Sequence, residues 1–251
     1  MPRYLPAEQV RAIQRRALER GGTIRQTVDG SHSRVVEWDA AGDCLSPVPL
    51  SLWGRPVEPP GDFVVTRKNP PAFVDMHVPC RKCENCLARR AAHWRLRAAT
   101  EFRSAPRTWF ATLTFRPERL FVNLTRTRVR LARARVQLET LSAHERFIET
   151  EKECFSDVQR WFKRLRKNSG VSFRYLVVTE QHKSGNPHYH VLLHETDVQT
   201  PLRYDSDLKG SWGEGFDSYR LVADNKGAAY VVKYLSKSLS ARVRASKSYG
   251  A

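Results

Sequence analysis

Long apolar stretches are missing from this sequence of 251 residues. No stretch approaches the roughly 20 apolar residues that a membrane-spanning helix needs. The first residues include Pro2, Arg3, Pro6, Glu8 and Arg11, and they contain no apolar segment typical of a signal peptide. We therefore expect a soluble, intracellular protein without a membrane partner.

Acidic residues are scarce relative to basic ones. The chain has 26 Asp and Glu residues against 43 Lys and Arg residues, which gives a net charge of +17. This excess is larger than solubility requires, and it favours a polyanionic partner, most commonly nucleic acid. A ribosome-associated or membrane-surface protein is compatible with the same composition.

The chain has five cysteines, an odd number, and Cys80, Cys83 and Cys86 lie within seven residues of sequence. This spacing favours a metal site in a reducing compartment over a disulfide framework. A structural zinc ion needs four ligands. The candidates for the fourth are His77, which precedes Cys80 with the same spacing, and then Cys44, His93 and Cys154. An iron–sulfur cluster and buried free thiols are the other interpretations.

A histidine pair marks the sequence Asn-Pro-His-Tyr-His-Val-Leu-Leu at 186–193. In a β-strand, residues i and i+2 point to the same face, so His188 and His190 would project side by side. An apolar run precedes Glu180, and a hairpin would bring this carboxylate to the same face. Two imidazoles and one carboxylate suit a catalytic divalent metal. His182 and His194 are alternative third ligands, and two polar histidines on a half-exposed strand are the simpler interpretation.

Two tyrosines and two lysines recur at helical spacing in residues 229–237. Tyr230 and Tyr234 are four residues apart and share a helix face, and Lys233 and Lys237 each follow a tyrosine by three residues. A nearby ammonium group favours the phenolate form of tyrosine, whose ordinary pKa is about 10. The alternative is an amphipathic helix whose tyrosines pack against a sheet while its lysines reach solvent.

Two segments have the apolar spacing of helices. Residues 5–20 precede a Gly-Gly pair, and residues 123–170 end in Gly170, which is a suitable terminator. Near the end of the second segment, apolar residues recur at steps of three and four, which predicts one packed face and one basic face. These residues are Phe155, Val158, Phe162 and Leu165.

Other segments predict strands. Residues 108–115 form a β-rich run whose alternation puts Phe110, Thr112 and Thr114 on one face. The proline-rich sequence at 29–71 favours short strands and loops over a long helix. Further strands are predicted at 173–179, 188–194 and 216–223.

The order of these elements resembles the HUH endonuclease superfamily, the nickases that initiate rolling-circle replication. Residues 110–115 resemble its first motif, Pro-His-Tyr-His at 187–190 resembles its metal-binding motif, and Tyr230 and Tyr234 resemble its two-tyrosine nucleophile motif. The spacing of Glu180 from the histidines, the sequence Ala-Ala-Tyr-Val-x-Lys-Tyr and the upstream cysteines most resemble the replication initiators of microviruses, which are small single-stranded DNA phages. The resemblance covers about half of the chain.

This resemblance implies a ferredoxin-like α+β core, with an antiparallel sheet and flanking helices, behind an N-terminal extension that carries a cysteine knuckle. It implies Mg²⁺ or Mn²⁺ at the histidine pair and Glu180, and attack on DNA by Tyr230 or Tyr234 with Lys233 near the phosphate. The product would be a 5′-phosphotyrosine link and a free 3′-hydroxyl that primes rolling-circle replication, before the strand is rejoined.

Basic residues are candidates for phosphate contacts with a single-stranded DNA origin. They are Arg126, Arg128, Arg130, Lys163, Arg164, Arg166 and Lys237. The sequence contains no Gly-x-x-x-x-Gly-Lys phosphate loop. Unwinding would therefore need a host helicase, and synthesis a host polymerase, in the cytoplasm of a bacterial host cell. The oligomeric state is left open.

We expect four segments: an N-terminal extension at 1–78, a cysteine knuckle and basic helix at 79–107, an endonuclease core at 108–240 and a basic C-terminal tail at 241–251. Two alternatives remain. A noncatalytic, zinc-stabilised nucleic-acid-binding protein would bind DNA without a covalent product. Another HUH enzyme, such as a plasmid initiator, relaxase or single-strand transposase, would perform the same chemistry on a different DNA.

Overall fold

The computed structural model describes residues 3–26, 34–55, 72–182, 184–222 and 242–250. The chain divides into two compact units, Met1–Leu87 and Ala88–Ala251. The described strands of each unit form a five-stranded sheet. Within the described ranges, no helix has the length and apolar character needed to cross a lipid bilayer.

The N-terminal unit is a mixed sheet that packs against one helix. Its strands follow the order β1-β4-β5-β3-β2, with parallel β1–β4 and β3–β5 pairs and antiparallel β4–β5 and β2–β3 pairs. Val10 and Ala17 of the helix are buried in a cluster with Leu52 and Val74 of the sheet. The elements are β1 Arg3–Pro6, α1 Ala7–Glu19, β2 Thr23–Gln26, β3 Arg34–Asp39, β4 Val48–Arg55 and β5 Ala72–Val78.

The second unit contains a fully antiparallel sheet with the order β10-β7-β8-β6-β9. Short 3-10 and π-helical turns occupy Leu138–Thr140 and Tyr204–Leu208. The helices are α2 Glu84–Ser104, α3 Pro117–Arg133 and α4 Ala143–Ser169. Helix α2 begins four residues before the boundary between the two units. The strands are β6 Thr108–Phe115, β7 Phe173–Gln181, β8 Pro187–Glu195, β9 Gly215–Leu221 and β10 Arg242–Ala245.

Strand alternation gives this sheet two different faces. Tyr189, Val191 and Leu193 of β8 lie in the main core together with the buried residues of α4. Leu192, one residue out of phase, belongs to a second cluster with residues of β7 and α2. His188, His190 and His194 share the Leu192 face because they differ from it by even steps.

Helix α4 confirms the predicted apolar face and the predicted terminator. Its Phe155, Val158, Phe162 and Leu165 are all buried. Gly170 adopts the left-handed conformation, with φ of 70°, that ends helices at low cost. Ser142 and Glu145 form a reciprocal capping box at the other end.

The α+β fold with antiparallel strands and flanking helices is confirmed, as are the strand at 108–115 and the hairpin that carries the histidines. The region at 123–170 is mainly helical, as predicted, and it contains α3 and α4 with a non-helical connection around the 3-10 turn between them. Helix α3 begins before this region, with Pro117 in its first turn. The segment expected to be a basic C-terminal tail contains β10, which pairs with β7.

Candidate functional site

The hairpin of β7 and β8 brings together the three predicted metal ligands. Glu180 lies directly opposite His188 in the strand register. The rings of His188 and His190 have centroids 4.8 Å apart, and Nε2 of His190 lies 3.4 Å from Oε2 of Glu180. The predicted face of two imidazoles and one carboxylate is therefore present in the structure.

Burial keeps both imidazoles uncharged at neutral pH. Burial, and secondarily the neighbouring His182, lowers the pKa of His188. Burial, and secondarily His188, lowers the pKa of His190 to about 3. A neutral imidazole is the form that binds a metal ion. This donor set fits a divalent cation such as Mn²⁺, and a carboxylate is also a ligand that Mg²⁺ accepts.

The two alternative third ligands differ in their surroundings. Both ring nitrogens of buried His194 are engaged, Nδ1 by the Thr108 hydroxyl at 2.8 Å and Nε2 by the Tyr249 hydroxyl at 2.7 Å. These contacts give His194 a structural role in the core. His182 lies nearer, with its ring centroid 6.1 Å from that of His188, and its Nδ1 is 3.1 Å from the Ser184 hydroxyl.

The predicted nucleophile segment lies outside the described residues, and with it Tyr230, Tyr234, Lys233 and Lys237. The structure does describe where the chain enters and leaves this segment. The Val222 N–H donates to the Thr108 carbonyl at 2.8 Å, and Arg242 pairs with Thr179, the residue before Glu180. Tyr234 precedes Arg242 by eight residues, a chain length that spans at most roughly 28 Å.

The arginines of α3 are held by acidic groups to different degrees. Nε of Arg128 donates to Glu139 at 2.8 Å. Arg130 forms ion pairs with Glu149 at 2.8 Å and Glu153 at 2.7 Å. Arg126 is exposed, and its guanidinium lies 3.5 Å from the amide oxygen of Asn123. Local carboxylates thus offset part of the charge of Arg128 and Arg130.

The basic residues of α4 also have different surroundings. Lys163 is exposed. Arg164 donates to the Trp212 carbonyl at 2.9 Å. Arg166 donates to the Phe173 carbonyl at 2.9 Å and lies 4.2 Å from the centre of the Phe173 ring. Burial lowers the pKa of Arg166. Its guanidinium is therefore partly withdrawn from solvent.

Four cysteines of the N-terminal unit form a compact group. Ligand atoms of Cys44, Cys80, Cys83 and Cys86 all lie within 4.8 Å of one another, and within the described parts of the chain no other set of three or more His, Cys, Asp or Glu residues does so. Hydrogen bonds from the backbone N–H groups of Cys86 and Leu45 lower the pKa of Cys83 to about 6. The cluster has a composition that could hold a metal ion.

The fourth member of this group corrects one expectation. The structure places Cys44 beside the three clustered cysteines, whereas His77 is exposed on β5, opposite Pro49, and is not part of the group. Cys154 is excluded as well, because it is buried in the core of the second unit, where burial raises its pKa to about 12. The equal spacing of His77 and the cysteines in sequence gave no indication of Cys44.

Comparison with known proteins identifies the family. The model of the replication-associated protein ORF2/G2P family matches residues 108–239, which is just over half of the chain and includes the histidine hairpin. The chain belongs to this family. The replication-associated protein ORF2 of Spiroplasma virus 4 is 26% identical in an alignment 195 residues long that covers 72% of this chain and 55% of that protein. The chain thus spans about half the length of this relative. No solved structure matches the chain.

The matched ORF2/G2P region includes a contact that the sequence motifs do not predict. The Thr114 hydroxyl lies 2.8 Å from Nδ1 of His188. Strand alternation had placed Thr114 on one face with Phe110 and Thr112, but it gave no pairing between β6 and β8. Phe110 itself stacks on His190, with ring centroids 5.9 Å apart and planes 9° apart. The first motif therefore lies directly against the histidine motif.

Proposed function

We propose that this ORF2/G2P-family protein initiates rolling-circle replication by nicking single-stranded DNA at an origin. The convergence of His188, His190 and Glu180 on one sheet face supports this proposal. In the proposed site these three residues would hold Mg²⁺ or Mn²⁺. The bound ion would supply Lewis-acid stabilisation of the phosphoryl oxygens and a template for in-line attack.

The nucleophile in this proposal is the hydroxyl of Tyr230 or Tyr234. The phenol loses its proton and its oxygen bonds to phosphorus, while the bond from phosphorus to the 3′-oxygen breaks and that oxygen takes up a proton. The products are a 5′-phosphotyrosine and a free 3′-hydroxyl. Lys233 favours the phenolate and the charge that develops on the phosphate. The reverse reaction rejoins the strand because the phosphotyrosine retains the phosphodiester energy.

The basic helices are the proposed binding surface for the DNA backbone. Arg126, Lys163 and Arg164 are exposed and are the stronger candidates for phosphate contacts. Arg128 and Arg130 would have to exchange glutamate partners for phosphates. Arg166 and Lys237 complete the proposed set. We expect DNA affinity to fall steeply with salt, and each phosphate-contacting residue that is removed should reduce the log–log slope by about one.

The proposed setting is the cytoplasm of a bacterial cell infected by a phage. The similarity to a protein of Spiroplasma virus 4 supports this setting. A host helicase and a host polymerase are the proposed partners, because the sequence has no phosphate loop of the Gly-x-x-x-x-Gly-Lys type.

A covalent-capture experiment tests the proposal. The full chain is incubated with Mn²⁺ and a 3′-labelled pool of single-stranded DNA of random sequence, and the products are resolved under denaturing conditions. We expect labelled protein, since a 5′-phosphotyrosine retains the 3′ fragment. The variant with both Tyr230→Phe and Tyr234→Phe should form no adduct, and His188→Ala should abolish metal-dependent nicking.

Two matched variants control this experiment. Tyr204 and His144 are exposed residues outside the proposed site, so Tyr204→Phe and His144→Ala should retain the adduct. An undiminished adduct in the double tyrosine variant would exclude the nucleophile assignment. Salt-sensitive DNA binding with no adduct under any metal condition would instead favour a noncatalytic binding protein. If the cleaved sequences recovered from the pool match a plasmid origin or a transposon end and not a phage origin, another HUH enzyme is favoured.

A further inference from the structure

The sulfur atoms of the four-cysteine group have the spacing of a tetrahedral metal site. Sγ of Cys44 lies 3.8 Å from Sγ of Cys83, and Sγ of Cys80 lies 4.0 Å from Sγ of Cys86. A zinc ion with Zn–S bonds of about 2.3 Å holds its sulfurs at tetrahedral edges of roughly 3.8 Å. Disulfide sulfurs lie only about 2.05 Å apart. The four thiols are thus spaced for one central ion and not for two disulfides.

We propose that Cys44, Cys80, Cys83 and Cys86 bind one Zn²⁺ ion as a closed, structural tetrathiolate site. Four protein sulfurs complete the tetrahedron and leave no position for water or substrate, so the site has no part in the nicking chemistry. It stands independently of the proposed function, because it involves none of the residues of the histidine hairpin.

Backbone N–H groups around the cysteines point to the sulfur atoms. The N–H groups of Lys82 and Cys83 point to Sγ of Cys80 at 3.4 and 3.3 Å, and the N–H of Cys80 points to Sγ of Cys44 at 3.2 Å. Such donors stabilise thiolate charge. Arg81 adopts a positive φ of 63°, which bends the chain between Cys80 and Cys83. A non-glycine residue adopts this conformation only at a cost.

Among the described residues, the apolar cluster around the four cysteines is small. It consists of Ala41, Cys44 and Cys86 with Cys80 and Cys83 packed against it. One alanine and four cysteines bury too little apolar surface to offset the ordering of two chain segments that lie 36 residues apart. An ion that joins Cys44 to the start of α2 would supply this stability, since metal-binding energy in such sites is folding energy.

The spacing also distinguishes one ion from an iron–sulfur cluster. Iron and sulfide ions at the centre of a cluster would hold the cysteine sulfurs farther apart than the 3.8 and 4.0 Å seen here. Soft thiolate donors in a tetrahedral S₄ set are typical of zinc. Elemental analysis separates zinc from a single iron ion, which the same geometry would accept.

The test measures metal content and coordination in the full chain. We expect one zinc per chain by elemental mass spectrometry and slow alkylation of these four thiols until a chelator is added. Replacement of zinc by Co²⁺ should give the sulfur-to-cobalt charge-transfer band and intense visible bands of a tetrahedral thiolate site. Because the cobalt spectrum is recorded on the unmodified protein, it remains informative even if cysteine variants do not fold.

Three variants identify the ligands. Cys44→Ser should lose stoichiometric zinc, whereas His77→Ala and Cys154→Ala should retain one equivalent and the same cobalt spectrum. Retention of zinc in Cys44→Ser with loss in His77→Ala would overturn the ligand assignment. Folded, metal-free protein with four freely alkylated thiols, or protein that contains iron in place of zinc, would overturn the proposal. None of these measurements involves DNA. A negative result would therefore overturn the zinc-site proposal and leave the nickase proposal unaffected.

Discussion

The Thr114 hydroxyl lies 2.8 Å from Nδ1 of His188, and the two residues are direct partners in the β6–β8 ladder. A metal-binding histidine commonly uses one ring nitrogen for the metal while a hydrogen bond holds the other. Thr114 engages Nδ1, which leaves Nε2 as the nitrogen available for coordination. The strand pairing thereby fixes the orientation of the first histidine of the proposed site.

Replacement of Thr114 by valine should weaken the metal site without removing a ligand. Valine keeps the shape and the β-branching but cannot bond to Nδ1 of His188. We expect manganese affinity or nicking rate to fall by roughly 10- to 100-fold, measured by titration and by adduct formation. Thr125→Val, on the exposed surface of α3, should change neither. Equal losses in both variants would contradict the orienting role of Thr114.

Two variants can show whether Glu180 or His182 is the third metal ligand. The carboxylate of Glu180 lies 3.4 Å from Nε2 of His190, whereas His182 is exposed and its ring centroid lies 6.1 Å from that of His188. We therefore expect Glu180→Ala to abolish manganese-dependent nicking and His182→Ala to reduce it less than tenfold, about 1.4 kcal/mol. The measurement is the rate of adduct formation as a function of manganese concentration. The opposite order of effects would assign the third ligand to His182.

Acid should destabilise the fold through buried His194. Burial lowers the pKa of His194 to about 3, while its pKa in the unfolded chain is about 6.5. Between about pH 3 and pH 6.5 the unfolded state therefore binds up to one more proton at this residue than the folded state, and stability is lost as the pH falls through this range. Between pH 7.5 and pH 5 the loss from this residue is about 2 kcal/mol.

The His194→Gln variant isolates this contribution. Its free energy of unfolding, measured by denaturant titration, should depend on pH less steeply by about one proton between pH 6.5 and pH 5. His144→Gln serves as the control, since His144 is exposed, and it should leave the slope unchanged. A His194→Gln slope equal to that of the unmodified protein would show that His194 is not buried in its neutral form.

Asp157 should be a stability determinant of the second unit. Its carboxylate is fully buried, accepts from Asn123 at 2.7 Å and pairs with Arg119 and Arg160. Asp157→Ala leaves buried donors without an acceptor, and we expect a loss of about 3–5 kcal/mol in the free energy of unfolding. In contrast, Glu139→Ala removes an exposed pair with Arg128 and should cost less than about 1 kcal/mol. Similar losses in both variants would contradict this interpretation.

Sequence patterns predicted the elements of the second unit best where periodicity was strong. The alternation in β6 and the three- and four-residue steps in α4 both matched the observed burial. The position of the connection between α3 and α4 was not predicted because the sequence after Arg133 continues without proline or glycine. The β10 strand was missed because Arg242–Ala245 is short and basic, and its strand character comes from pairing with β7.

The candidate site was predictable to the extent that its residues are neighbours on one hairpin. The spacing of His188 and His190 and the position of Glu180 were sufficient, since strand geometry fixes which side chains share a face. Two contacts could not be predicted in this way: that of Thr114 with His188, and that of Cys44, one of several candidate fourth ligands, with the clustered cysteines. Each contact joins residues 36 or more positions apart in the chain, and local periodicity carries no information about such contacts.

The C-terminal residues are bound to the rest of the second unit by more than the peptide chain. The β10 strand pairs with β7, the buried Tyr249 bonds to His194, and the Gly250 N–H donates to Glu101 at 2.7 Å. A protease cut at any single bond in residues 223–241 would therefore divide the polypeptide without releasing its last piece. The two fragments would copurify as a split protein, and a synthetic peptide of residues 242–250 would compete with the cleaved piece for the edge of β7.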